Sequence, residues 1–189
     1  MLRLVPFGPE HFPLLAQWFA TQAEIVQWGG PLLSFPLTVQ QLGAMLAEAD
    51  SVPPSRLCWM VACKDALVGH AQLGFDWRNG SARLSRVAVA PHARGQGLAG
   101  PMLRLIVNEA FARPGIERVE LSVYTWNMPA IRTYEKLGFK AEGTRRSSAL
   151  VDGVRWDAAI MGLLRQEWAT PETRNDDLDD PTRTSPGDP

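Results

Sequence analysis

The 189-residue chain is poor in cysteine: it has two, Cys58 and Cys63, and their spacing fits no metal-ligand pattern. A cysteine-built metal centre is therefore excluded, and two thiols packed in a reduced interior are expected. Net charge is also small, 19 basic against 20 acidic residues for −1, so no strong field invites nucleic acid or an anionic membrane. No apolar run reaches the length of a membrane span, and no basic, apolar leader pattern is visible. Internal repeats are missing. No Gly-Lys-Ser/Thr follows the glycine-rich stretch, which rules out a Walker phosphate loop. These absences lead to the expectation of a cytoplasmic protein, monomer or homodimer, without metal, membrane or nucleic-acid partners.

What the chain does have is a large apolar fraction, 46%, on a length that suits one domain with a substantial core. Its charge is uneven. Residues 170–189 hold six acids against Arg174 and Arg183, which leaves the remainder at +3. That stretch has no periodic apolar pattern and is expected to be a mobile, acidic tail. The organisation read here is thus one domain over residues 1–168 and a tail over 169–189.

The most informative stretch runs from Arg83 to Gly100. Arg83 to Ala90 is Val-rich and alternates small or polar with apolar residues, which predicts a half-buried strand. Pro91 ends it. Gly95, Gly97 and Gly100 then permit a turn whose amides can face a ligand, and helical spacing follows through Leu103, Ile106, Val107 and Phe111. A glycine turn feeding a helix N-terminus suits an anion, because unpaired N–H groups and the positive dipole end converge there. Pro101 limits the geometry: it belongs in the first helical turn, so the helix should start no earlier than about Gly97. Gly95-Gln96-Gly97-Leu98-Ala99-Gly100 also satisfies the dinucleotide fingerprint literally, with Glu117 and Glu120 near the distance of its acidic residue.

A second stretch decides between these readings. Asn127-Met128-Pro129-Ala130-Ile131-Arg132-Thr133-Tyr134-Glu135-Lys136-Leu137-Gly138-Phe139 follows a predicted strand over Arg118 to Tyr124. Together the two stretches resemble the GNAT superfamily of acetyl-CoA-dependent N-acetyltransferases. The family's R/Q-x-x-G-x-G/A loop matches at Arg94, Gly97 and Ala99; its N-x-x-A-x-x-x-Y-x-x-x-G-F segment matches at Asn127, Ala130, Tyr134, Gly138 and Phe139. The resemblance extends to about residue 168 and looks most like the ribosomal-protein N-acetyltransferase branch. It implies an α/β fold, a single domain whose mixed, mostly antiparallel sheet of six to seven strands is flanked by about four helices.

The resemblance also implies roles. Amides of Gly95, Gln96, Gly97, Leu98 and Ala99 would hold the pyrophosphate of acetyl-CoA, with Arg94 as an added cation. Backbone groups of Val87, Ala88 and Val89 would pair with the pantetheine arm. Asn127 and Tyr134, seven residues apart, share a helix face, so an amide could hold pantetheine while a phenol protonates the leaving sulfur. Asn127 is equally a good N-cap, and Tyr134 a packing residue. Gly138-Phe139 reads as a helix cap with its hydrophobic contact. A general base is harder to find: some relatives carry a carboxylate where this chain has Arg83, and others a Glu or His where it has Ser122. Ser122 could hold a relay water, with Glu120 on the same strand face as its partner. Trp28 and Phe35 are candidates for the acceptor wall, or simply aromatics at the core edge. His70 is either catalytic or a structural strand histidine. The acceptor would be a protein N-terminus or a small-molecule amine; an acetyl-CoA sensor without catalysis is the alternative.

Along the chain, the patterns predict a strand over Leu2–Pro6 and a helix opening at Pro9 that carries Phe12 to Phe19. They predict a loop at Trp28–Pro31 and a helix capped by Thr38. Paired strands follow over Leu57–Cys63 and Leu67–Trp77, and a closing hairpin over residues 139–147 and 154–164 turns at Asp152-Gly153.

Overall fold

The computed structural model describes residues 1–168; the acidic tail of residues 169–189 lies outside the described residues. The strands are β1 (Leu2–Pro6), β2 (Arg56–Cys63), β3 (Ala66–Asp76), β4 (Ser81–Val89), β5 (Arg118–Tyr124), β6 (Lys140–Val151) and β7 (Val154–Leu164). They form one sheet in the order β1-β2-β3-β4-β5-β7-β6. Every neighbouring pair is antiparallel except β4 with β5. The helices are α1 (Phe12–Ala16), α2 (Gln22–Gly29), α3 (Val39–Ala47), α4 (Ala99–Phe111) and α5 (Met128–Lys136).

The two sheet faces bury different helices. α4 and α5 pack on Leu73, Leu84, Leu121 and Met161 through Ile106, Val107 and Leu137. α1, α2 and α3 pack on Met60 and Val68 through Leu15, Ile25 and Leu42. Strand alternation produces this sorting: in β5, Val119, Leu121 and Val123 are buried on the α4 side, while Glu120, Ser122 and Tyr124 take the other face. Cys58 is buried as expected, and desolvation pushes its thiol up to about 11, so it stays protonated and inert.

The N-terminal third departs from the expected pattern. The first helix is only Phe12–Ala16, and a separate helix, α2, occupies part of the segment expected to be a loop. Trp28 and Gly29 form its last turn, and Gly30 terminates it at φ 89°. The missed helix did carry a start signal. Thr21 caps it by accepting from the Glu24 amide at 3.2 Å, a Thr-x-x-Glu spacing that marks helix N-termini. The final hairpin is also longer than expected, because β6 runs on to Val151. Among the described residues five α-helices thus stand where about four were expected, and the sheet has seven strands, within the six to seven anticipated.

One irregularity in β4 positions the site. His70 pairs with Ala88 and Gln72 with Ser85, so Ala71 of β3 faces both Arg86 and Val87. Arg86 takes φ 51° at this bulge. Simple alternation would send Arg86 to the Leu84 face, into the α4 core. The extra residue returns it to the opposite face, where its Nη1 donates to Gln72 Oε1 at 2.8 Å.

Candidate active site

Parallel pairing between β4 and β5 is brief: Ser81 with Arg118, Ala82 with Val119 and Arg83 with Glu120. Beyond Arg83 the strands diverge, while each keeps its outer partner, β3 as far as Val89 and β7 as far as Tyr124. The inner edges of residues 84–89 and 121–124 therefore face a gap with unpaired backbone groups. Such groups need partners. A ligand with amides along an extended arm can supply them, as an added strand would.

At one end of this gap lies the glycine turn. Gly95 and Gly97 adopt φ 77° and 70°, which residues with a Cβ resist, and α4 starts at Ala99. Pro101 sits in the first helical turn, as its missing N–H requires. The first helical hydrogen bond is Met102 N–H to Leu98 C=O at 3.0 Å, so amides from Gly95 to Gly100 have no backbone partner among the described residues. Gln96 turns its side chain back to the His92 carbonyl at 3.0 Å, and Arg94 Nε reaches the Val89 carbonyl at 3.3 Å. The turn thus offers a set of free amides at a helix start, the arrangement that suits a phosphate.

α5 leaves the same, C-terminal end of this parallel pair, following β5 as the glycine turn follows β4. Asn127 caps it, its Oδ1 accepting from the Ala130 amide at 3.3 Å, with Pro129 tolerated in the first turn. The helix closes at Gly138, φ 101°, where Phe139 N–H reaches the Tyr134 carbonyl at 3.1 Å and Gly138 N–H the Glu135 carbonyl at 2.9 Å. That pairing is a Schellman cap, and its hydrophobic contact is the edge-on packing of Phe139 against the Tyr134 ring at 5.8 Å. The cap therefore fixes the position of Tyr134. Tyr134 is 8% exposed, and desolvation pushes its phenol up to about 12, so it remains a proton donor.

A cavity of about 460 Å³ joins these parts. Val87, Ala88, Val89, Arg94, Ala99, Ser122, Asn127, Tyr134 and Trp28 all line it. Gly97 and Ala99 line a second hollow between α4 and α5, beside Arg104 and Lys136. Gly95, Gln96 and Leu98 belong to the turn but to neither lining.

The sequence model of the Acetyltransferase (GNAT) family matches residues 17–139, which span both the glycine turn and α5. The chain belongs to the GNAT family. N-acetyltransferase YokL of the SPbeta prophage of Bacillus subtilis (strain 168), uncharacterized in its function, is 32% identical over 93 residues. That match takes in 49% of this chain and 52% of YokL, so the chain spans about half the length of that relative. L-amino acid N-acetyltransferase AaaT of Escherichia coli (strain K12) is 30% identical over 109 residues, 56% of this chain and 67% of AaaT. The fold is shared with spermidine N-acetyltransferase from Vibrio cholerae, solved with CoA and spermine. The TM-score is 0.77 at 18% identity, over 88% of this chain and 97% of that one.

Adjoining the cavity is a chamber of about 310 Å³ lined by residues of α2, β4, β5, β6 and β7. Trp28, Arg86, Ser122 and Tyr124 line both spaces and form the wall between them. Trp28 is an aromatic at the core edge that also lines the cavity. It is 7% exposed and packs on Phe19 at 4.8 Å, yet its indole N–H donates to the bulge carbonyl of Arg86 at 2.7 Å and its face lines the cavity. Phe35 is 45% exposed and lines none of these spaces.

The expected proton relay is interrupted. Arg83 donates to Glu120 at 3.1 Å and to Ser122 Oγ at 2.8 Å, so a guanidinium stands between the two. Arginine does not give up its proton in proteins. Glu120 is also held by Arg118 at 3.4 Å and lines neither the cavity nor the chamber. His70 is fully buried behind Phe7 and Trp28. Burial first, then Arg86 and His11, hold its pKa down at about 3, so it is a neutral core residue. Arg86 itself was not anticipated as a site residue. Only the bulge brings it to the wall, and a strand read by alternation gives no sign of that. Among the described residues no group of three His, Cys, Asp or Glu is placed to hold a metal ion, and no helix is long and apolar enough to cross a membrane.

Proposed function

We propose that this chain transfers an acetyl group from acetyl-CoA directly to a primary amine. The observation that carries the reading is the gap between β4 and β5, open-edged along its length. The glycine turn with its free amides follows β4 at this gap, and the Tyr134 phenol lines the cavity beside it. The turn would hold the pyrophosphate, and the Val87–Val89 edge and Asn127 would hold the pantetheine arm. An edge amide would polarise the thioester oxygen. The amine nitrogen forms its bond to the acetyl carbon as the carbon–sulfur bond breaks. Tyr134 protonates the departing sulfur and is recharged by the proton the nitrogen loses. With Glu120 held in ion pairs, that nitrogen must arrive neutral or pass its proton to water held at Ser122.

Relatives are named for amino-acid, spermine and ribosomal acceptors, so a small amine or a protein N-terminus is open to this chain. The alternative, an acetyl-CoA sensor, draws on the missing free carboxylate; the presented phenol speaks against it, since binding alone needs no proton donor. Thermal unfolding with acetyl-CoA, CoA and NAD tests the binding half. At 100 times its dissociation constant acetyl-CoA should add about 2.7 kcal/mol, and NAD nothing. Released thiol from a panel of amines tests the transfer half. Equal stabilisation by NAD, or acetyl-CoA binding with no amine consumed, would remove the reading.

A further inference from the structure

The adjoining chamber has a pronounced charge character. Four arginines line it, Arg56, Arg83, Arg86 and Arg145, and no aspartate or glutamate does. Two of the four are neutralised from outside, Arg56 by Glu48 at 2.9 Å and Arg83 by Glu120 at 3.1 Å. The other two have no carboxylate within 4 Å among the described residues. Arg86 leans on the neutral amide of Gln72 at 2.8 Å, and its Nε is buried without any partner. Arg145 is exposed on β6 and lines the chamber. A cation held against a low-dielectric wall without a counter-charge is costly, and a buried donor without a partner calls for one.

We infer that the acceptor is a small amine that also carries an anionic group, a carboxylate or a phosphate, seated on Arg86 and Arg145; this rests on the acetyl-transfer reading above. Guanidinium forks match both anions with paired hydrogen bonds. Arg86 belongs to the wall shared with the cofactor cavity, so an anion seated there leaves the amino group of a small molecule directed at the Ser122 side of the gap. The chamber volume of about 310 Å³ suits a molecule of amino-acid size. A polyamine is a poor fit, because its several positive charges would meet arginines and no carboxylate.

Matched pairs of amines test this: phenylalanine with phenylalaninamide, methionine with methioninamide, and 2-aminoethyl phosphate with 2-aminoethanol, alongside spermidine. Initial rates are read as released thiol, and thermal shifts with the same compounds are read in saturating CoA. The anionic member of at least one pair should exceed its neutral partner about 10- to 100-fold in kcat/KM, the range of a charge-assisted hydrogen bond. The carboxylate and phosphate arms show which anion is meant. Arg145→Gln, on the surface and safe for folding, and Arg86→Gln should each bring that ratio towards one. Equal members in every pair, preference for spermidine, or a ratio untouched by both substitutions would overturn the inference while leaving acetyl transfer standing. A protein that neither binds acetyl-CoA nor releases thiol with any amine would remove the acetyl-transfer reading and this one with it.

Discussion

The two ends of the cavity are built from different materials. At the glycine turn the groups on offer are backbone amides, made available by local conformation, and the Gln96 side chain points back to its own loop. At the chamber the groups are side chains, supplied by α2, β2, β4, β5 and β6, which are scattered over most of the chain. A ligand common to a whole family can be held by backbone, because amides are present whatever the side chains. A ligand that differs from member to member needs side chains that can change without disturbing the fold. Tyr134 and the Trp28–Arg86 wall lie at the boundary between these two designs.

That boundary gives the largest expected effect. Tyr134→Phe should lower turnover about 10²–10⁴-fold if the phenol protonates sulfur, with acetyl-CoA affinity nearly unchanged by titration calorimetry. Because burial raises the phenol to about 12, the folded enzyme keeps this proton across the ordinary alkaline range, in which an unperturbed tyrosine would lose it. The wild-type pH–rate profile should therefore rise as the amine deprotonates and show no alkaline fall near pH ~10. Unchanged turnover in an assay limited by chemistry would make Tyr134 a packing residue.

A smaller effect is expected at the backbone end. Gly97→Val should weaken acetyl-CoA binding about 100-fold through a β-branched residue forced to positive φ beside the anion. No heavy atom lies within 4 Å of a Cβ built at Gly97, so the fold should survive at a strain cost of about 1–2 kcal/mol. A circular-dichroism melt beside the calorimetry checks both parts. Normal affinity in a folded variant would show that backbone does not hold the phosphate here.

The smallest change sharpens the contrast from the side-chain end. Trp28→Phe removes the 2.7 Å hydrogen bond to the Arg86 carbonyl while keeping most of the packing. A cost of about 1 kcal/mol in stability is expected, with acceptor KM raised several-fold and acetyl-CoA affinity little altered. If acetyl-CoA affinity falls as far as acceptor KM rises, the two ends are not separately built.

The parts that could be read in advance are those governed by neighbours in the chain. Pro101 dictated where α4 could begin, because a proline without N–H is tolerated only in a first turn. Gly138 and Phe139 announced both the end of α5 and the contact that steadies Tyr134. Thr21 and Glu24 carried an equally local signal for α2 that went unread, and the loop expected at Trp28 was the result. Arg86 is a different case. Its φ of 51° and its place on the chamber wall depend on how β3 pairs with β4, and nothing adjacent to it in sequence encodes that.

From the sequence alone came the family, the glycine turn, the Asn127–Tyr134 helix face and the two strands that precede them. Each rests on backbone preferences and spacings that act within a few residues. Tertiary structure alone decided that β4 and β5 part after Arg83, that Arg83 comes between Ser122 and Glu120, and that Arg86 is turned to the wall shared by the cavity and the chamber. Those outcomes depend on pairing register and on side chains meeting across the sheet. A shift of one residue in register reverses the face of every residue that follows, so no local pattern could have settled them.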